Sequence, residues 1–218
     1  MNPVVKRIIT ALSTAAAVVL AIIYAPTSWL PWAFKALILV AFLEFWLLLK
    51  RKLGGGSRLI LPGLLGLLVI GGGLSALPAT ALAYGNLMML YLIAIVKFSD
   101  MGGFALGMST ARLMKGGNHK LCPTISPNKS WEGLGGSVVA SVLMSLAFLP
   151  ITHFSLLKAV AFGVVAALVG TFGDLVESKF KRWVGVKDSA TFMPAGLGGF
   201  LDMFDSLLFA PAVLFPFI

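Results

Sequence analysis

The chain has 218 residues, 59% of them hydrophobic and only 11% charged, with a formal net charge of +9. A soluble domain of ordinary composition carries about 25% charged residues, so that class is excluded. Several apolar runs approach the roughly 20 residues needed to cross a bilayer's hydrocarbon core, and the chain reads as an all-α, polytopic integral membrane protein.

Hydropathy predicts about seven membrane helices, near 8–25, 32–49, 59–77, 82–98, 134–151, 155–172 and 198–217. The first follows Lys6 and Arg7 as a signal peptide would. However, "STAAAVVLAIIYAPTSWLPW" offers no clear small-x-small cleavage site, so a retained helix is expected. "KLGGGS" (52–57) is a glycine-rich connection, and "IGGGLSALPA" (70–79) closes a helix hairpin. "MGGFALGMSTARLM" (101–114) is too short and too polar to span, and is expected to form a half-helix or an interfacial helix. The chain divides into N-terminal transmembrane helices, 1–98, and a C-terminal transmembrane region, 99–218. The latter carries motif segments at 99–133 and 173–206.

With the N-terminus in the cytoplasm, all 17 lysines and arginines except Lys35 and Lys158 fall on the cytoplasmic side. This asymmetry is the positive-inside pattern, and bacterial inner-membrane residence is expected from it. The positive charge suits anionic headgroups or nucleotides. Nucleic acid is not an expected partner, because no soluble basic domain with interleaved aromatics is present. Cys122 is the only cysteine, which excludes an intrachain disulfide and a cysteine metal cluster. His119 and His153 lie far in sequence from the most charged stretch, so histidine chemistry is not expected there.

The eight carboxylates are concentrated. Glu44 sits inside the second span, where an ionisable residue is costly and a functional candidate; hydrogen-bonded packing and a site role both stay open. The other seven lie in the two motif segments. Asp174, Ser178 and Lys181 fall on one helix face, with Glu177 beside them. Asp202 and Asp205, three apart, open the last span. One acid at a helix start needs no further explanation. Two, behind the glycines of "AGLGG" (195–199), suit a hard cation such as Mg²⁺ that also binds substrate phosphates. Glycines before a helix favour phosphate binding, and Lys179, Lys181, Arg182 and Lys187 bring positive charge. Each of these bases could equally anchor anionic lipid. In "ISPNKSWEGLGGS" (125–137), Ser126, Lys129 and Ser130 offer donors and Glu132 leads into a helix. Trp131 reads as an interfacial anchor, and Gly135 and Gly136 as a close helix contact.

These stretches together resemble a known family. "SPNKSWEGLGGS" is similar to the S-P-K-K-[ST]-W-E-G-x-x-G-G stretch of the phosphatidate cytidylyltransferases, the CDP-diacylglycerol synthases. "GDLVESKFKRWVGVKDSATFMPAGLGGFLDMFDS" (173–206) resembles their long signature, with G-D-L-x-E-S, K-R, K-D and L-D-R-x-D-S parts. Asp100 in "FSDMGGFALG" and Glu44 in "LEFW" look like further family positions. Two positions depart: Leu197 stands where the signature has histidine, and Met203 where it has arginine.

The resemblance implies a membrane enzyme of phospholipid biosynthesis that joins CTP to phosphatidate, giving CDP-diacylglycerol and pyrophosphate. It implies Mg²⁺ on Asp174, Asp202 and Asp205, with room for a second cation, and a homodimer. Lys181, Arg182, Lys187 and Asp188 would join the aspartates in catalysis. Ser126, Lys129, Ser130, Glu132, Ser178, Gly198 and Gly199 would bind substrate. A CTP-dependent polyprenol or phytol kinase, which moves the γ-phosphoryl group, is the alternative, as is a catalytically impaired paralogue.

Overall fold

A computed structural model describes residues 16–114, 116–186, 189 and 199–218. Residues 16–24 form a helix, α1. It is followed by α2 (Leu30–Leu53), α3 (Ile60–Tyr84) and α4 (Asn86–Leu113), then a small antiparallel hairpin of β1 (Lys120–Cys122) and β2 (Ser126–Ser130). The chain continues through α5 (Trp131–Ala147), the single turn α6 (Leu149–Thr152) and α7 (Leu156–Val184). It ends in α8 (Phe200–Phe204), a 3₁₀ turn (Asp205–Leu207), α9 (Ala210–Leu214) and a second 3₁₀ turn. Among the described residues, five stretches are long and apolar enough to cross a membrane: Thr27–Leu53, Ser57–Tyr84, Asn86–Leu113, Leu156–Val184 and Phe200–Phe217. Trp131–Ala147 is a shorter apolar helix. The chain is an all-α polytopic membrane protein, as its composition required.

Helix ends follow local chemistry. Gly54 (φ 75°) ends α2 just after Lys50, Arg51 and Lys52, which face the negative end of the helix dipole. Ser130 caps α5 by accepting the N–H of Gly133 at 3.0 Å, and Ser155 caps α7 at the N–H of Lys158. The core gathers Leu74 and Leu77 of α3, Tyr91, Leu92 and Ile95 of α4, Phe162 of α7 and Leu207 near the C-terminus. The Tyr91 hydroxyl and Ser145 Oγ lie 2.8 Å apart, and Ser145 donates to the carbonyl of Ala159. These bonds satisfy polar groups where α4, α5 and α7 meet away from water. Leu61, Leu64, Leu65 and Leu68 of α3 stay exposed, as lipid-facing residues should.

Three expectations need correction. "IGGGLSALPA" (70–79) closes no hairpin: α3 runs through it, Pro78 included, and ends only at Gly85. The stretch 101–114 is no separate half-helix, since α4 runs unbroken through it. Gly102 and Gly103 lower its hydropathy because they are where α5 crosses. A Cβ at Gly102 would strike Ala140 and approach the carbonyl of Gly136 to 2.5 Å. Gly136 takes part in that crossing, whereas Gly135 faces open space. The last span is not one helix. The Asp202 carboxylate accepts the N–H of Gly199, Asp205 Oδ1 accepts that of Ser206, and Pro211 begins a new turn. Side-chain bonds to the backbone compete there with helical ones, and proline removes a donor. Finally, the hairpin at 120–130 had no sequence signal of its own, because its second strand, "SPNKS", is short, polar and contains proline.

Candidate active site

Four pieces of chain meet here: the middle of α4, the end of β2, about the last four turns of α7, and α8 with its 3₁₀ turn. Ser130, by capping α5, fixes where β2 stops and so where Lys129 points. Lys129 Nζ reaches across to α7, donating to Asp174 Oδ2 at 2.8 Å and to the carbonyl of Thr171 at 3.3 Å. This pair joins two motif segments 45 residues apart. Asp100 of α4 stands on the same side, within electrostatic reach of Asp174 and Asp205, and Asp174 is also within reach of Asp205. Between these elements lies a cavity of about 280 Å³ lined by Asp100, Ser126, Lys129, Ser130, Thr171 and Asp174, among others. Charged groups converging on a concave site are the usual mark of a ligand-binding pocket.

A second group adjoins the first. Lys181 Nζ lies 2.6 Å from both Glu177 Oε2 and Asp202 Oδ1. The other Asp202 oxygen accepts the N–H groups of Ser189 at 2.9 Å and Gly199 at 2.7 Å. Asp202 is thus held to its own turn and to Lys181, whereas Asp205 faces Asp100 and Asp174. Their spacing in sequence put both acids on one face, but the 3₁₀ turn at Asp205 separates their partners. From α2, Glu44 Oε2 accepts the N–H of Leu201 at 3.0 Å, so this buried carboxylate holds the start of α8.

The remaining candidates divide. Ser126 lines the cavity, and Ser178 lies half-buried one turn after Asp174. Ser130 uses its hydroxyl oxygen for the α5 cap and for Asn118 Nδ2 at 3.1 Å. Glu132 Oε1 accepts the N–H of His119 at 3.2 Å, and the His119 ring Nδ1 lies 2.6 Å from it. That ring bond, together with backbone N–H groups, pulls the Glu132 carboxyl from its ordinary 4.5 down to about 2. Arg182 donates to the carbonyl of Val186 at its own helix end. Gly199 is packed so closely that a Cβ would strike Ser189 Oγ and approach Glu44 Oε2. Lys187, Asp188, Gly198 and Leu197 lie outside the described residues. Sequence reasoning missed Lys97, Thr171 and His119, and left Asp100 as a family position only.

Among the described residues no three acidic, histidine or cysteine side chains form a ready-made metal cage. Two observations nonetheless fit a divalent cation. Asp174 Oδ1 is buried and has no hydrogen-bond partner among the described residues, the mark of a group that awaits a water or an ion. Among the described residues, Asp100, Asp174, Glu177, Asp202 and Asp205 face Lys97, Lys129 and Lys181, which leaves these side chains a formal charge of −2.

The sequence model of the Cytidylyltransferase family matches residues 2–218. Phosphatidate cytidylyltransferase of Staphylococcus aureus (strain COL) is 43% identical over 128 residues, which is 58% of this chain and 46% of that protein. The enzyme of the same name from Staphylococcus epidermidis (strain ATCC 12228 / FDA PCI 1200) is 41% identical over 128 residues, with the same coverage. Uncharacterized protein YnbB of Escherichia coli (strain K12) is 38% identical over 143 residues, covering 65% of this chain and 46% of that protein. The chain therefore spans about half the length of the curated relatives it matches. With the match extending across both motif segments and the helices between them, the chain belongs to the Cytidylyltransferase family.

Proposed function

We propose that this protein transfers the cytidylyl group of CTP to phosphatidate, giving CDP-diacylglycerol and pyrophosphate, on the cytoplasmic side of the bacterial inner membrane. The observation that carries the reading is the Lys129–Asp174 pair beside Asp100 on one cavity, because it unites the family's two motif segments around opposite charges. An oxygen of the lipid phosphate attacks the α-phosphorus of CTP, the bond from that phosphorus to the bridging oxygen breaks, and its electrons leave with pyrophosphate. A phosphate monoester is largely dianionic near neutral pH, with a second pKa of about 6, so the attack needs no general base. This accords with an aspartate- and lysine-lined site in which no histidine faces the cavity. What the residues must supply is position and charge balance.

In this reading Lys129 passes from Asp174 to a phosphate oxygen when the nucleotide enters. Asp174 and Asp205, with Asp100, would hold Mg²⁺, and Asp202 aims Lys181 at the lipid or nucleotide phosphate. The bound ion would offset phosphate charge and polarise the transferring phosphoryl group. Arg182, Lys187 and Asp188 take the catalytic roles that the family resemblance implies for them. Ser126 serves the cavity wall, and Ser178, Glu132, Gly198 and Gly199 contribute to substrate binding as the family resemblance implies.

The test uses purified protein, phosphatidate or an isoprenoid alcohol, Mg²⁺, and CTP labelled separately at the α- and γ-phosphorus. Label from the α position in the phosphatidate product is the expected result. Label from the γ position in the alcohol would assign a lipid kinase instead, and no lipid label would assign a catalytically impaired paralogue.

A further inference from the structure

Lys97 belongs to no motif of the sequence, yet its ammonium group is held by three oxygens. Ser206 Oγ lies at 3.0 Å, the carbonyl of Met203 at 3.1 Å and Asp100 Oδ2 at 3.4 Å. Ser206, fully buried, also donates its hydroxyl to Asp100 Oδ2 at 2.9 Å. Lys97 lies in the middle of α4, and a lysine within a membrane helix ordinarily snorkels its head group out to water. This one, its side chain still partly exposed, bends toward Asp100 and the 203–206 turn instead, and each of its three N–H groups has an oxygen to meet. A carboxylate, a hydroxyl and a backbone carbonyl around one positive centre make the donor set of a hard cation. The ammonium also lies within electrostatic reach of Asp174 and Asp205, so its charge bears on the whole carboxylate group. Met203, where the resembling signature carries arginine, has no charge of its own; the charge instead arrives at its carbonyl from α4.

We propose that Lys97 is a tethered internal cation that occupies the place of a second, free cation in this site. It acts as a positioning residue, fixing Asp100 and the 203–206 turn so that Asp205 faces Asp174. The site then takes one divalent ion and requires no monovalent one. The role of this cation in turnover rests on the cytidylyl-transfer reading; its presence in the oxygen cage does not.

The experiment removes the tether and offers the head group back. Lys97→Ala and wild-type protein are compared in thermal stability in ammonium, potassium and tetramethylammonium chlorides at equal ionic strength, without nucleotide, lipid substrate or divalent ion. Lys97→Ala is expected to gain stability saturably in ammonium or potassium but not in tetramethylammonium, which is too large for the cage. The wild type is expected to behave alike in all three salts. Transfer activity of Lys97→Ala in tetramethylammonium is expected to fall about tenfold to a hundredfold, as loss of a charged hydrogen-bonding group does, and to recover over the same ammonium range. No salt-specific gain in the folded variant would overturn the proposal. So would an ammonium-specific gain in the wild type, a comparison that needs no variant. Lys97→Ser serves if the alanine variant does not fold. A positive thermal result with no transfer by the wild type would sink the cytidylyl reading and leave the internal cation standing.

Discussion

Glu44 Oε2 accepts the backbone N–H of Leu201 at 3.0 Å, so a buried acid of α2 holds the first turn of α8 across 157 positions of sequence. That turn carries Asp202 and leads to Asp205. Replacing Glu44 with alanine leaves a buried N–H unpaired, which costs about 1–3 kcal/mol. Glu44→Ala is therefore expected to lower thermal stability and cytidylyl transfer together. Glu44→Gln keeps an acceptor oxygen and should retain most of both. If glutamine proves as damaging as alanine, the carboxylate's charge matters and holding α8 is not its main role.

The Lys129–Asp174 pair separates structural from chemical roles. Lys129→Met leaves Asp174 as an uncompensated, mostly buried carboxylate, a loss of roughly 3 kcal/mol for a buried pair. Lys129→Met/Asp174→Asn removes both charges and should regain most of that stability, measured by thermal unfolding in detergent. Activity should stay lost in the double variant, because the site then lacks both a phosphate-binding cation and a metal-binding anion. Recovered activity would place the chemistry elsewhere.

Much of this site was legible, and the reasons differ by residue. Asp174, Lys129 and Asp205 could be read because their motif spacing is distinctive. That Lys129 pairs with Asp174 could not, since contact across 45 positions depends on how β2 ends, and "SPNKS" carries no strand period. Lys97 looked like a routine lysine at a span's end, and only the fold turns Met203 and Ser206 toward it. The apolar pattern of 198–217 gave the location of the last span correctly. Its breaks come from Asp202 and Asp205 bonding their own backbone, which hydropathy does not register.

Asp202 and Asp205 should fail in different ways. Asp202→Asn weakens the hold on Lys181 and the cap at Gly199, so a stability loss of about 1 kcal/mol is expected with the loss of transfer. Asp205→Asn removes an acid from the buried carboxylate group and should shift the Mg²⁺ dependence of transfer to higher concentration. Full activity in both variants would sink the carboxylate site. An unchanged Mg²⁺ dependence in Asp205→Asn, with transfer reduced, would remove Asp205 from the metal.

The α4–α5 crossing offers a steric test with an internal control. Gly136 meets the carbonyl of Gly102 at a separation that leaves no room for a Cβ, since one there would lie 2.5 Å from that oxygen. Gly136→Ala must push the helices apart, and overpacking of this kind costs about 1–3 kcal/mol. Gly135, one residue earlier, faces open space, so Gly135→Ala should be neutral or slightly stabilising. Thermal unfolding of the two variants decides it, and equal effects would contradict the crossing.

The Glu132–His119 contact makes a prediction in pH. The hydrogen bond from the His119 ring, with backbone N–H groups, holds the folded-state carboxyl at about 2, below its ordinary 4.5. A depressed carboxyl stabilises the fold fully above its unfolded value, and the contribution is lost as pH falls through the folded one. The stability advantage of wild type over Glu132→Gln should therefore be constant near neutral pH, shrink below about pH 4.5 and vanish near about pH 2. Because the contact ties the loop ahead of β1 to the start of α5, His119→Ala should abolish most of the same pH dependence. Parallel unfolding curves for wild type and Glu132→Gln across this range would show that the His119 contact does not bear on folding.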